Sequence, residues 1–111
     1  MGSEQSRSRS SRKSSRASRG WSRVAPKTVG ERSALMSKCG RRCFLGTRKT
    51  FPICAAGSCE IERRGVQAAY SRAREWASIT ARKKGKDASR AHRRYTAVAR
   101  RAKAILSRMK K

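Results

Sequence analysis

CGRRCFLGTRKTFPICAAGSC, residues 39–59, is the stretch that decides the fold, because it holds all four cysteines of this 111-residue chain. The cysteines are spaced Cys39-x3-Cys43-x10-Cys54-x4-Cys59. Hydrophobic residues make up only 36% of the chain, and many of them are alanine, so a core of this size is marginal without a staple. We therefore expect the four cysteines to supply that staple.

Three chemical states are open to these cysteines. Two disulfides would constrain the unfolded chain, and a nested pairing of Cys39 with Cys59 and Cys43 with Cys54 is the first choice. Four thiolates could instead hold a structural zinc ion, although zinc ribbons commonly use cysteine pairs two residues apart. Reduced cysteines packed as small apolar side chains are the third alternative. We place disulfides before zinc and expect no other cofactor or metal.

Hydrophobic spacing around this segment predicts a small, mostly α fold with three helices. We expect the helices at about 29–39, 64–84 and 88–109, within one domain that covers residues 26–111. Thr28 and Glu31 have the spacing of a capping box, which begins the first helix. The irregular cysteine segment, 39–59, then joins the first helix to the second.

The second and third helices are expected to form an antiparallel hairpin across Gly85, with Asp87 as the N-cap of the third helix. Each of the two helices has one apolar stripe at three- and four-residue spacing. The stripe of the second helix consists of Val66, Ala69, Tyr70, Ala73, Trp76, Ala77 and Thr80. The stripe of the third helix consists of Ala88, Ala91, Tyr95, Val98, Ala102, Ile105 and Met109.

Residues 1–25 have a different composition from the rest of the chain. The run 6–16 contains only Ser, Arg and Lys, which cannot bury enough surface to offset the entropy of an ordered chain. We predict an extended basic arm that is disordered unless bound. Trp21, its first large apolar residue, is expected to anchor the arm.

The net charge is the strongest constraint on function. Lys and Arg number 31 against six acids, which gives a formal charge of +25, and a small domain with that charge repels itself unless an anionic partner surrounds it. No acid follows Asp87. The residues expected to bind a polyanion are Arg7, Arg9, Arg12, Lys13, Arg16, Arg19, Arg93, Arg94, Arg100 and Arg101.

The first six residues fit a lipidation motif. Met1-Gly2-Ser3-Glu4-Gln5-Ser6 matches the pattern for N-myristoylation of Gly2. An acyl chain followed by a polybasic segment is the combination that anchors stably to an anionic membrane. The same Arg-rich run would equally neutralise nucleic acid phosphates without base specificity, so both partners remain open.

No pattern in the sequence indicates an enzyme or a small-molecule substrate. His92, the single histidine, is surrounded by arginines with no carboxylate nearby, and we interpret it as a helix-surface residue. There is no glycine-rich phosphate loop and no pair of acids in a catalytic arrangement. We expect no catalytic residue.

A set of motifs resembles a group of small basic proteins encoded by nucleocytoplasmic large DNA viruses, the giant viruses of algae and amoebae. The similarity covers about residues 27–106 and leaves out the basic arm. The motifs are Gly30-Glu31-Arg32, Cys39-Gly40-x-x-Cys43-Phe44-Leu45-Gly46, Phe51-Pro52-Ile53-Cys54, Cys59 and Gly65-Val66-x-Ala68-Ala69-Tyr70-x-Arg72-Ala73-Arg74.

The resemblance implies a virion or virus-factory protein without established enzymatic activity, from viruses that make thiol oxidases. We therefore expect a structural virion protein, a minor capsid or cementing component that links the shell to neighbouring proteins, inner membrane or genome. Its partners would be capsid or other acidic virion proteins, DNA or an anionic inner membrane surface. It would lie in or just beneath the capsid, and in host cytoplasm during assembly. The alternative is a DNA-binding protein that condenses the viral genome without sequence specificity.

Overall fold

A computed structural model describes residues 19–109 of the protein. The elements are helix α1 (Trp21–Val24), helix α2 (Val29–Cys39), a 3-10 turn (Gly40–Cys43), helix α3 (Arg63–Ala81) and helix α4 (Lys86–Met109). In this part of the chain there is no regular strand, only two isolated bridges, Phe44 to Pro52 and Cys54 to Ile61. The prediction of a small, mostly helical fold is confirmed, with four helices where three were expected.

The cysteine segment is closed by two nested disulfides, with the pairing that was the first choice among the alternatives. Cys39 is bonded to Cys59, with Cα atoms 5.3 Å apart, and Cys43 to Cys54, with Cα atoms 5.1 Å apart. The inner pair has no exposed surface, whereas the outer pair is half-buried. Because the thiols are consumed in these bonds, none is left as a thiolate ligand for zinc.

Between the inner cysteines the chain doubles back as a short hairpin. The Leu45 N–H donates to the Phe51 carbonyl at 3.0 Å, and the Ile53 N–H donates to the Cys43 carbonyl at 2.8 Å. These bonds satisfy buried backbone groups that no helix or sheet would otherwise pair. The hairpin therefore buries Phe44, Leu45 and Ile53 in the centre of the molecule.

The core joins this hairpin to one face of each long helix. Its apolar members are Leu35, Cys43, Phe44, Leu45, Ile53, Cys54, Val66, Ala69, Ala73, Val98 and Ala102. Several residues of the predicted stripes are only partly buried, and two are exposed, Trp76 at 43% and Met109 at 37%. Helical periodicity places a residue on a face but cannot show where the neighbouring elements stop covering that face.

Helix α2 begins with the predicted capping box. The Thr28 hydroxyl accepts from the Glu31 N–H at 3.0 Å, and the Glu31 carboxylate accepts from the Thr28 N–H at 3.1 Å. The carboxylate also accepts from the Lys27 N–H at 2.7 Å. These backbone hydrogen bonds, that of Lys27 first, lower the pKa of Glu31 below its ordinary value of 4.5.

Helices α3 and α4 pack against each other across a tight turn at Gly85, whose φ is +112°. Helix α3 was predicted to reach residue 84 but ends at Ala81, because the Arg82 N–H bonds to the Ile79 carbonyl and tightens the last turn. Asp87 was expected as the N-cap of α4. It lies instead in the first turn, where its charge complements the helix dipole, and the Ser89 N–H bonds to the Gly85 carbonyl.

The folded body begins earlier than the predicted boundary at residue 25. Trp21–Val24 forms α1, the Val24 carbonyl accepts from the Ala56 N–H at 2.7 Å, and Pro26 is fully buried. The Trp21 indole lies on Gly65 of α3, so closely that a Cβ there would come within 2.6 Å of the ring. Trp21 therefore anchors α1 to α3. Residues 1–18 of the predicted arm are outside the described range.

We expect Gly65→Ala to reverse its effect on stability when Trp21 is removed. In the native background the added methyl group collides with the indole, and such overpacking costs about 1–3 kcal/mol, more than the gain in helix propensity. In a Trp21→Ala background only the propensity gain of about 1 kcal/mol remains. Thermal unfolding of the four proteins in this double-mutant cycle measures both values. A destabilisation of equal size in both backgrounds would contradict the contact.

We expect the charge of Glu31 to make its full contribution to stability only above its ordinary pKa of 4.5. A lowered folded-state pKa gives a stability contribution that is complete above the unfolded value and lost as the pH falls through the folded value. The difference in melting temperature between the native protein and Glu31→Gln should therefore be constant from neutral pH down to about this value and shrink below it. A difference that does not change with pH would refute the contribution of the charge.

Candidate polyanion interface

Helix α4 carries four of the predicted polyanion-binding residues on its exposed side: Arg93, Arg94, Arg100 and Arg101. Arg19 is exposed in the turn before α1. The other predicted residues, Arg7, Arg9, Arg12, Lys13 and Arg16, lie outside the described residues, as does the candidate acylation site Gly2. Among the described residues, the candidate interface therefore lies mainly on the outer side of α4.

The cations of α4 form two rows with a seven-residue repeat. One row consists of Lys86, Arg93 and Arg100, and the other of Arg94, Arg101 and Arg108. Residues seven apart are separated by about 10.5 Å along a helix and lie nearly on the same line. We call these two rows, with Arg90 and Lys103, the basic face of α4.

Arg101 differs from the other arginines of the basic face because it also has a structural contact. Its Nη1 donates to the Leu45 carbonyl at 3.3 Å, which ties α4 to the central hairpin. Within the described residues, the side chains of Arg93, Arg94 and Arg100 donate no hydrogen bond and form no ion pair. Those three guanidinium groups are available to an external anion.

Internal ion pairs offset almost none of this charge. Across residues 19–109 the structure holds one ion pair, Arg64 with Glu62 at 3.2 Å, and both side chains are more than a third exposed. Such a surface pair contributes about 0–1 kcal/mol. From residue 88 to the end of α4 there is no carboxylate in the sequence, so the basic face presents an uninterrupted positive potential.

His92 has a role that the sequence did not indicate. It is half-buried rather than on the helix surface, and its Nδ1 lies 2.9 Å from the Ala77 carbonyl. Because a carbonyl only accepts hydrogen bonds, Nδ1 carries the hydrogen and donates a hydrogen bond from α4 to α3. This contact links the two long helices.

The described residues show no cluster of three His, Cys, Asp or Glu side chains that would hold a metal ion. None of the helices between residues 19 and 109 has the length and apolarity needed to cross a bilayer.

No family model, curated protein or solved structure matches this chain. The basic face is therefore the main structural indication of function.

Proposed function

We propose that this chain is a non-enzymatic structural virion protein that holds nucleic acid phosphates against the basic face of α4. The observation that carries the proposal is a 24-residue helix whose outer side has cations in two rows and no acid after Asp87. A helix of that length extends about 36 Å, enough to follow several phosphates. Neutralised phosphates release condensed counterions, which drives binding at low salt.

Binding of this kind would have little sequence preference. Contacts to phosphates fix the position of a protein on a duplex but do not read its bases. The packing of Val98 and Ala102 into the core leaves the basic face on the solvent side of α4, where its arginines are accessible to the backbone of a large anion. The duplex genome that the resemblance implies is a partner of this class, in keeping with a role in linking or condensing the genome.

A minor capsid or cementing role is the second candidate. The observation that favours it is the pair of nested disulfides. Phosphate binding alone does not need such cross-links, whereas they suit a small protein that is held within a particle. In that case the basic face would meet carboxylates of capsid proteins or the headgroups of an inner membrane. The salt dependence of DNA binding separates the two candidates.

We expect the double variant Arg93→Gln/Arg100→Gln to weaken binding to duplex DNA and to reduce its salt dependence. Each lost phosphate contact makes the slope of log K against log salt less negative by about 0.9, so the loss of two contacts makes it less negative by about 1.8. Glutamine keeps a high helix propensity, and both sites are exposed, so the fold should be retained. Fluorescence anisotropy of a labelled duplex across a salt series measures the slope.

The matched control is Arg41→Gln/Arg42→Gln, which removes the same charge from the exposed 3-10 turn. We expect this control to leave the slope nearly unchanged. Equal losses in the two variants would show that binding follows net charge and does not use the basic face. Absence of salt-dependent duplex binding in the native protein would reject the nucleic acid proposal and favour the cementing role.

A further inference from the structure

A groove beside α3 is lined by aromatic and basic side chains, and the core residue Ala69 and the buried Pro52 also border it. Its volume is about 620 Å³, within the range of pockets that take organic ligands. It lies between α1, the start of α2, the tip of the central hairpin, α3 and the inner edge of α4. The groove is separate from the basic face, because the α4 residue that lines it, Tyr95, lies on the side of α4 that faces the central hairpin.

One wall of the groove is a series of three aromatic rings. The Phe51 and Tyr95 rings meet edge to face with centroids 6.0 Å apart. The Tyr95 and Trp76 rings are stacked, with centroids 6.1 Å apart and an angle of 28° between their planes. Trp76 thus stacks on Tyr95 while 43% of it remains exposed, so part of its aromatic surface is accessible to a ligand.

The backbone is strained at Phe51, one of the three aromatic residues of this wall. Its φ is +54°, an unfavourable conformation for a bulky residue that is also followed by proline. The Leu45 N–H, bonded to the Phe51 carbonyl at 3.0 Å, helps to hold the residue there. Strained residues that their surroundings hold in place are concentrated at binding and active sites.

The rim of the groove carries three cations, Lys27, Arg32 and Arg72, and one acid, Glu75. Arg32 is fixed by its hydrogen bonds, from Nε to the Pro26 carbonyl at 3.2 Å and from Nη1 to the Lys49 carbonyl at 3.3 Å. Arg72 and Lys27 are exposed. The excess of positive charge disfavours a basic peptide, including the Ser/Arg-rich run of this chain, and favours an anionic ligand.

We propose that this groove binds unpaired nucleotides of a single-stranded nucleic acid. A base stacks on the exposed side of Trp76, and the adjoining phosphates meet Arg72 and Lys27. Base stacking on aromatic side chains combined with a basic groove is the way in which single strands are held without sequence preference. A duplex cannot use this site, since its bases are already stacked, so the groove adds a binding mode that the basic face does not provide.

The test compares Trp76→Leu with Trp76→Phe in the full-length oxidised protein. Stacking of one base is worth about 5- to 140-fold in affinity, so Trp76→Leu should weaken binding to a labelled single-stranded oligothymidylate by a factor in that range. Trp76→Phe retains an aromatic ring and should retain most of the affinity. Neither variant should change the affinity for a duplex of the same length, and unchanged circular dichroism shows that both are folded.

Arg72→Gln and Arg74→Gln form a second matched pair on α3. Arg74 lies over the Tyr70 ring at 5.6 Å from its centroid and outside the groove, so only the Arg72 variant should lose single-strand affinity. Native affinity in Trp76→Leu, or equal loss for single strand and duplex, would overturn the proposal. The basic-face variant Arg93→Gln/Arg100→Gln changes duplex binding, so failure of one site is distinguishable from failure of the other.

Discussion

The buried disulfide between Cys43 and Cys54 is the contact on which the rest of the structure depends. It closes the hairpin that carries Phe44 and Ile53 into a core whose other members are largely alanine and valine. The outer bond, Cys39–Cys59, then fixes the end of α2 beside the approach to α3. Disulfides that close loops of this size each contribute about 2–4 kcal/mol, a large part of the about 5–15 kcal/mol that stabilises a typical domain.

The stability that the two disulfides add allows the molecule to carry a positive charge that would otherwise oppose folding. One exposed ion pair among the described residues offsets almost none of the repulsion, and α4 has no carboxylate beyond its first turn. A polyanion that binds the folded state adds stability by mass action. Under the proposed function, folding and binding would therefore be coupled: the disulfides hold the shape, and the proposed anionic partner would relieve the repulsion on the basic face. The proposed aromatic groove would add a second site, for a ligand with unstacked bases.

Local sequence signals predicted much of this fold. The capping box of Thr28 and Glu31, the turn at Gly85 and the nested cysteine pairs each depend on residues close in the chain or on a small set of choices. The errors came from contacts between distant segments. The apolar stripe of α3 includes Trp76, but the stripe alone does not show that the central hairpin leaves this residue partly uncovered. The contact of Trp21 with Gly65 brings together residues more than forty positions apart in the chain. The His92 contact with Ala77 likewise depends on how α3 and α4 align.

The most direct test of the central claim is thermal unfolding followed by circular dichroism, with and without a reductant that cleaves both disulfides. Loss of a native disulfide from a small domain costs about 2–5 kcal/mol, and each kcal/mol shifts the midpoint by about 4–8 °C in a domain of this size. We predict cooperative unfolding of the oxidised protein and a large fall in midpoint, or loss of the transition, on reduction. The same cooperative transition at the same midpoint in both conditions would contradict the account.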